Sequence, residues 1–349
     1  MTLVFYVSGH GYGHAGRTAR VLEQLSAMRP DWRLLVRTQA PASLFPPGVD
    51  VSSSKFESSV VETSDSLTID IPATRAALDR FAPAADSIVA AEAAFVRECG
   101  ARLVVADVPY LAGEIAAAVD VRSAAIGNFT WHWIYEDYLP SGSGMLARMR
   151  SAYSKIDVML RLPFGQPAGW EMFRQVEDVP LVARACVSRP RLDPRPTVFL
   201  AGRGNVEREV LQHAARTCED FCFAVLGSGE QAACGENIRS IELGPERTFG
   251  DVLAASDIVL AKLGYSLAAD CISFRKRLVY PPRQGFREEA VLRAEVGRHI
   301  PALPLDGDDY RCGEWAQTLR AVCELPPVTP CAPVDGAVIC AQRLVRECE

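Results

Sequence analysis

An apolar strand that runs into a glycine-spaced loop and then into an amphipathic helix constrains this chain more than any other feature. Leu3 to Val7 reads as a strand, Ser8-Gly-His-Gly-Tyr-Gly-His-Ala-Gly-Arg17 follows, and Ala19, Leu22, Leu25 and Met28 then recur at helical spacing. Glycines at 9, 11 and 13 permit positive φ and close approach of backbone to a ligand. A helix opening near His14 aims free N–H groups into the same space. The spacing is G-x-G-x-G and departs from the dinucleotide fingerprint G-x-G-x-x-G, and it carries two histidines for which that fingerprint has no chemical need. The stretch is read as a binding loop that uses an imidazole.

Composition narrows the class of partner. A chain of 349 residues, 49% hydrophobic and 23% charged, can bury one large core or two ordinary ones, and an α/β pattern of this length favours two. A net charge of −6 argues against general binding to nucleic acid, so the expected partner is small. Eleven cysteines lie scattered without a C-x-x-C pair, mostly in apolar runs such as Phe221-Cys222-Phe223, as reduced core thiols do, and a cytoplasmic location is expected. No basic segment precedes the first apolar run, and no window approaches roughly 18 uninterrupted apolar residues, so neither a signal peptide nor stable membrane insertion is expected.

The first half alternates strands and helices. Strands are expected at 32–38 and 49–53, followed by a Ser-rich run expected to be mobile. An alanine-rich helical pattern from Ala73 to Cys99 should kink or split at Pro83. The strand 102–107 ends in Asp107, which falls where open α/β sheets place ligands, so Asp107 and the His loop should share one crevice. A strand at 122–127 delivers Asn128-Phe-Thr-Trp-His-Trp-Ile-Tyr135, whose aromatics either anchor the loop on a core or stack on a ligand. The pattern around Met145 to Lys155 is an amphipathic basic helix: a solvated face, or a weak contact with a membrane surface or an anionic acceptor.

Residues 186–196 hold three prolines and three arginines and read as an inter-domain linker. A second α/β pattern follows. Strand 197–201 runs into Gly202-Arg203-Gly204-Asn205 and a helix, repeating the opening architecture; strands at 221–226 and 238–243 come next. Strand 257–261 breaks at Lys262 to Gly264, and a helix starts at Tyr265 or Ser266, so an anion could meet free N–H groups, a hydroxyl and an ammonium together; Ser266 could also be a simple N-cap. A last strand at 277–280 leads to Glu288 and Glu289 at a helix start, where they either satisfy the dipole or meet a ligand. From Pro333, a stripe of Val334, Val338, Ala341, Val345 and Cys348 marks a terminal helix that must dock its apolar face.

Ser8 to His14, Asn128 to Trp131, Lys262 to Tyr265 and Phe286 to Glu289 together resemble the two-domain, GT-B type glycosyltransferases that use nucleotide sugars. They are most similar to the glycosyltransferase-like half of plant arabinokinase and its bacterial relatives, and more distantly to the peptidoglycan N-acetylglucosaminyltransferase. The resemblance implies two Rossmann-like domains facing across a cleft, residues 1–185 on the acceptor side and 197–332 on the donor side. Residues 333–349 would form a helix crossing back to the first domain. It implies His14, with His10 second, as base or orienter, and Gly11, Tyr12, Gly13, Asn128 and Trp131 near the acceptor; Asp107, at the crevice-facing end of its strand, could hold and orient His14. On the donor side it implies Gly202 to Asn205, Lys262, Gly264, Tyr265 and Ser266. Asp270 stands where the family has a ribose-holding glutamate, and Glu288 and Glu289 stand where the peptidoglycan enzyme has a Gln-Gln pair facing the sugar.

The expected function is inverting transfer of a sugar, with UDP as the expected nucleotide, to a small-molecule or glycan acceptor. No cofactor is expected beyond the nucleotide sugar, which is substrate. No D-x-D pair is assigned to a divalent ion, so helix N-termini and Lys262 would replace the metal. Two other readings of the loop are that both histidines only hydrogen-bond it and that they form a His10-x-x-x-His14 metal site. A nucleotide-sugar epimerase of the same architecture and a non-catalytic nucleotide-sugar sensor are the alternatives.

Overall fold

Parallel strands buried on both faces need apolar residues at successive positions. The computed structural model, which describes residues 1–202, 206–227, 235–329 and 332–349, places such strands in two sheets. The first half runs β1 (Thr2–Val7), α1 (Gly13–Met28), β2 (Arg33–Thr38), β3 (Asp50–Ser53), α2 (Ile71–Phe81), α3 (Ala85–Glu98), β4 (Ala101–Asp107), α4 (Leu111–Ala118), β5 (Arg122–Gly127), α5 (Trp131–Tyr135), α6 (Gly144–Tyr153), β6 (Val158–Arg161) and β7 (Val176–Asp178). The second runs β8 (Thr197–Leu200), α7 (Arg208–Thr217), β9 (Cys222–Leu226), β10 (Ile238–Ile241), α8 (Phe249–Ala255), β11 (Ile258–Leu260), α9 (Tyr265–Ser273), β12 (Arg277–Tyr280), α10 (Glu288–Val296), β13 (Ala302–Pro304), α11 (Gly307–Cys312) and α12 (Ala316–Glu324). α13 (Gly336–Cys348) ends the chain.

The sheets have the orders β3-β2-β1-β4-β5-β6-β7 and β10-β9-β8-β11-β12-β13. In β1, Leu3, Phe5 and Val7 pack on one face and Val4 and Tyr6 on the other, as the two-residue period of a strand requires. The first of these faces belongs to a core that continues through α13 and the second domain's Phe199, Tyr265 and Ala268. The strands β6, β7 and β13 were not anticipated; at three or four residues each, their periodicity is too short to register in a sequence.

Proline 83 splits the long helical pattern into α2 and α3 across a short 3-10 turn, because it removes a donor from the ladder. The Ser-rich run does not behave as a mobile surface loop. Phe56, Glu57, Ser58 and Val60 are buried, with Phe56 edge-on to Tyr6 at 5.1 Å between ring centroids. In α6, Leu146, Met149, Ala152 and Tyr153 are buried, and Arg148 pairs with Glu114 and Asp86. That helix therefore has no apolar face left for a membrane.

Residues 186–196 carry neither helix nor strand. α13 returns to the first domain, packing on α1, β4 and β5. Its buried face is Ala337, Cys340, Ala341 and Leu344 with Gly336 and Glu347, rotated from the expected stripe, so Val338 is only half-buried. The rotation follows from polar contacts: Glu347 accepts from Arg122 and Arg343 and is drawn inward. No described helix is long and apolar enough to cross a membrane.

Candidate functional site between the domains

Strand order reverses between β1 and β4 in the first sheet and between β8 and β11 in the second. Ligands of open parallel sheets bind in the crevice beyond the carboxyl ends of such a pair. The two crevices face each other. Ser266 Oγ, in the first turn of α9, donates to the carbonyl of Gly13 at the start of α1 at 2.7 Å. Ser266 is thus no N-cap; Gly264 takes that position, without a side-chain bond.

The first crevice is built by the His loop and the end of β4. Ser8 N–H donates to the carbonyl of Asp107 at 2.7 Å, which continues the β1–β4 pairing into the loop. Gly11 takes φ +70, the left-handed turn that frees the chain to enter α1 at Gly13. This places His14 Nδ1 2.8 Å from Asp107 Oδ1. Arg17, one turn on, grips the same carboxylate: Nε lies 2.8 Å from Oδ2, and Nη2 also donates to Oδ1. Thr18 Oγ1 donates to Oδ2 at 2.7 Å. Burial would raise the Asp107 carboxyl, but the Arg17 charge and hydrogen bonds, with the His14 bond, hold it down at about 2. An ionised Asp107 only accepts, so Nδ1 of the His14 ring carries a proton and donates to it.

His10 sits elsewhere in the loop. Its ring lies edge-on to Trp131 at 5.7 Å and tilted to Phe286 at 5.9 Å, with Nε2 3.6 Å from Glu62. Burial pushes its imidazole down to about 3 against the pull of Glu62, so it is neutral near pH 7. Trp131 is fully buried, and its Nε1–H donates to Glu57 at 3.0 Å, so its indole is an anchor of the crevice wall and not an open stacking surface. Glu57 also accepts from Ser8 Oγ at 2.6 Å and Gly9 N–H at 3.0 Å; burial raises its carboxyl despite these bonds. Tyr12 is exposed.

Asn128 joins the two halves. Its Oδ1 accepts from Arg17 Nη1 at 2.8 Å, and its Nδ2 donates to Glu288 at 2.7 Å. Glu289 accepts from Arg283 N–H, and burial raises its carboxyl. Both glutamates are therefore buried and bonded inside the protein. Asp270 is likewise engaged: its two oxygens accept from Arg184 N–H at 2.8 Å and Nε at 2.9 Å. Tyr265 is buried under the Arg17 guanidinium, 5.3 Å from its ring centroid.

The second crevice is a cleft open to solvent, lined by Leu200, Gly202, Leu260, Lys262 and Tyr310, with Asp65 to Leu67 of the first domain at its edge. Lys262 Nζ donates to Glu62 at 2.9 Å. Arg203, Gly204 and Asn205, expected in the donor turn, lie outside the described residues. The Asp306-Gly307-Asp308 triplet has the D-x-D spacing, but Asp306 caps α11 and Asp308 pairs with Arg311. Among the described residues, no group of three or more His, Cys, Asp or Glu is placed to hold a metal.

Sequence reasoning missed Arg17, Glu57, Glu62 and Arg283. Arg17 lies inside the loop from Ser8, where its signal is a cation one turn after His14; the two glutamates lie in the Ser-rich run expected to be mobile.

No protein-family model matches the chain. It is similar to the L-arabinokinase of Arabidopsis thaliana, 27% identical over 365 residues that take in 99% of this chain and 34% of that protein. The chain therefore spans well under half of the relative it matches. Among solved structures, CalG4, the calicheamicin glycosyltransferase, superposes with a TM-score of 0.63 at 17% identity, covering 99% of this chain and 94% of the other. A UDP-N-acetylglucosamine 2-epimerase superposes with a TM-score of 0.54 at 11% identity, covering 99% and 94%.

Proposed function

We propose that this chain, whose fold is that of the GT-B glycosyltransferases, binds a nucleotide-diphosphate sugar between its domains and transfers the sugar to an acceptor hydroxyl with inversion. The observation that carries the reading is the pairing of an oriented imidazole with an anion-suited crevice: His14 on Asp107 at the β1–β4 switch point, Lys262 and the α9 N-terminus at the β8–β11 switch point.

In this reading His14 Nε2 takes the proton of the acceptor hydroxyl as its oxygen attacks the anomeric carbon and the bond to the β-phosphate oxygen breaks. Lys262 and the free N–H groups of α9 neutralise the departing diphosphate, and the two domains supply the proximity. The reaction needs no metal. The acceptor is a small molecule or glycan, and the nine described cysteines, all free thiols, support a cytoplasmic setting.

The likeness to a 2-epimerase keeps that reaction as a second reading. Incubation with a panel of UDP-sugars, with and without cell extract, separates the two. Sugar transferred only when extract supplies an acceptor supports the proposal, an epimerised sugar without acceptor replaces it, and binding without turnover indicates a sensor.

A further inference from the structure

The carboxylate of Glu62 bridges Lys262, which lines the donor crevice, and Arg283, which is buried beside it. Lys262 Nζ donates to its Oε2 at 2.9 Å and its Oε1 at 3.1 Å, and Arg283 Nη2 donates to Oε1 at 2.6 Å. Glu62 comes from the first domain and both cations from the second. The segment that carries it is fastened across the edge of the cleft: Gln284 N–H donates to Leu67 O at 2.7 Å, Ile69 N–H to Gln284 O at 3.0 Å, and Arg311 pairs with Asp65 at 2.9 Å.

The guanidinium of Arg283 lies over the Phe286 ring, 4.4 Å from its centroid, and one of its N–H groups is left unmatched. Its side chain is 5% exposed, and its Nε is buried with no hydrogen-bond partner among the described residues. An orphaned N–H of this kind costs free energy that a second acceptor oxygen would recover. A carboxylate on Nη2 alone cannot supply it, whereas a diphosphate, with two non-bridging oxygens on each phosphorus, can take Nε and Nη2 as a fork while another oxygen meets Lys262. The site is built for more acceptor oxygens than Glu62 brings.

We propose that Glu62 is an internal competitor for the diphosphate of the donor, seated on Lys262 and Arg283 until the incoming anion displaces it and frees the segment from 62 to 69. The inference rests on the nucleotide-sugar reading and adds Arg283 as a second diphosphate ligand and Glu62 as its resident rival. Burial would raise the Glu62 carboxyl, but the charges of Lys262 and Arg283 hold it below the ordinary glutamate range, so the rival is charged near neutral pH.

Calorimetry with inorganic pyrophosphate tests this without sugar or nucleotide, so absence of sugar transfer would not affect the result. Glu62→Gln, which keeps shape and removes charge, should bind pyrophosphate roughly ten- to hundredfold more tightly than the unaltered protein, the worth of one charge-assisted contact. Arg283→Ala in the Glu62→Gln background should abolish most of that gain. Equal or weaker binding by a Glu62→Gln protein of normal melting temperature overturns the proposal, as does no pyrophosphate binding by either protein. Should Glu62→Gln fail to fold, hydrogen exchange on the unaltered protein decides. Saturating pyrophosphate should speed exchange of the Ile69 and Gln284 amides, and unchanged exchange overturns the proposal.

Discussion

Nδ1 of His14 lies 2.8 Å from Oδ1 of Asp107, and Nη2 of Arg17 lies 3.0 Å from the same ring nitrogen. One nitrogen cannot donate to the carboxylate and accept from the guanidinium at once. The Asp107 carboxylate, held charged by Arg17 and Thr18, is the stronger partner for an N–H, and it fixes the tautomer that a base requires.

In the proposed mechanism His14→Ala should lower turnover about 10²- to 10⁴-fold, the usual worth of a general base, with UDP affinity nearly unchanged because the donor site is assigned to the other domain. Steady-state kinetics with calorimetry on the same protein checks this. Retained turnover would mean that His14 only braces the loop.

Stability should fall with acid through His10. Its folded pKa, about 3, lies below its ordinary 6.5, so between these values the unfolded chain binds the extra proton and stability is lost as pH falls from 6.5 toward 3. Glu62, Arg283, Lys262 and His14 are its charged or titratable neighbours. Between pH 7 and pH 5 the unaltered protein should lose up to about 2 kcal/mol more than His10→Gln in urea denaturation. Glu57, Asp270 and Glu289, whose carboxyls are raised, push the other way in both proteins, and the comparison cancels them. Parallel pH profiles of the two would refute the burial argument.

Chelation should leave sugar transfer intact, because Lys262 and helix N-termini take the place of a divalent ion in the proposed mechanism. The measurement is turnover in excess EDTA. Loss of activity that magnesium or manganese restores would require a metal in the donor site.

Closure of the chain depends on α13. A Cβ at Gly336 would lie 2.2 Å from the carbonyl oxygen of Pro180, so Gly336→Ala should cost about 1 to 3 kcal/mol through forced displacement of backbone. Deleting everything after Pro333 removes Cys340, Ala341 and Leu344 from the core and should give an insoluble or sharply less stable protein. Thermal melting of both variants provides the check, and a normal melting temperature for the truncation would show that α13 is dispensable.

The chain's own order of residues determined what depends on near neighbours. A strand that ends in a glycine-spaced loop must turn, Pro83 must interrupt its helix, and a lysine after β11 must stand near the N-terminus of α9. Each of these is settled within a few residues, by sterics and by backbone hydrogen bonds. That each half carries such a crevice follows from applying the same local pattern twice.

Only the tertiary structure decided which charge meets which. Asp107 could have met His14 alone, but α1 brings Arg17 to it across 90 residues of chain; Asp270 is taken by Arg184 and Lys262 by Glu62, 200 residues away. The buried role of Glu57 and the rotation of α13 toward Glu347 were settled the same way. A carboxylate has no periodicity and no local partner of its own. Its place is fixed by which cation or N–H the packed core brings within about 3 Å, and that is a property of the assembled sheets.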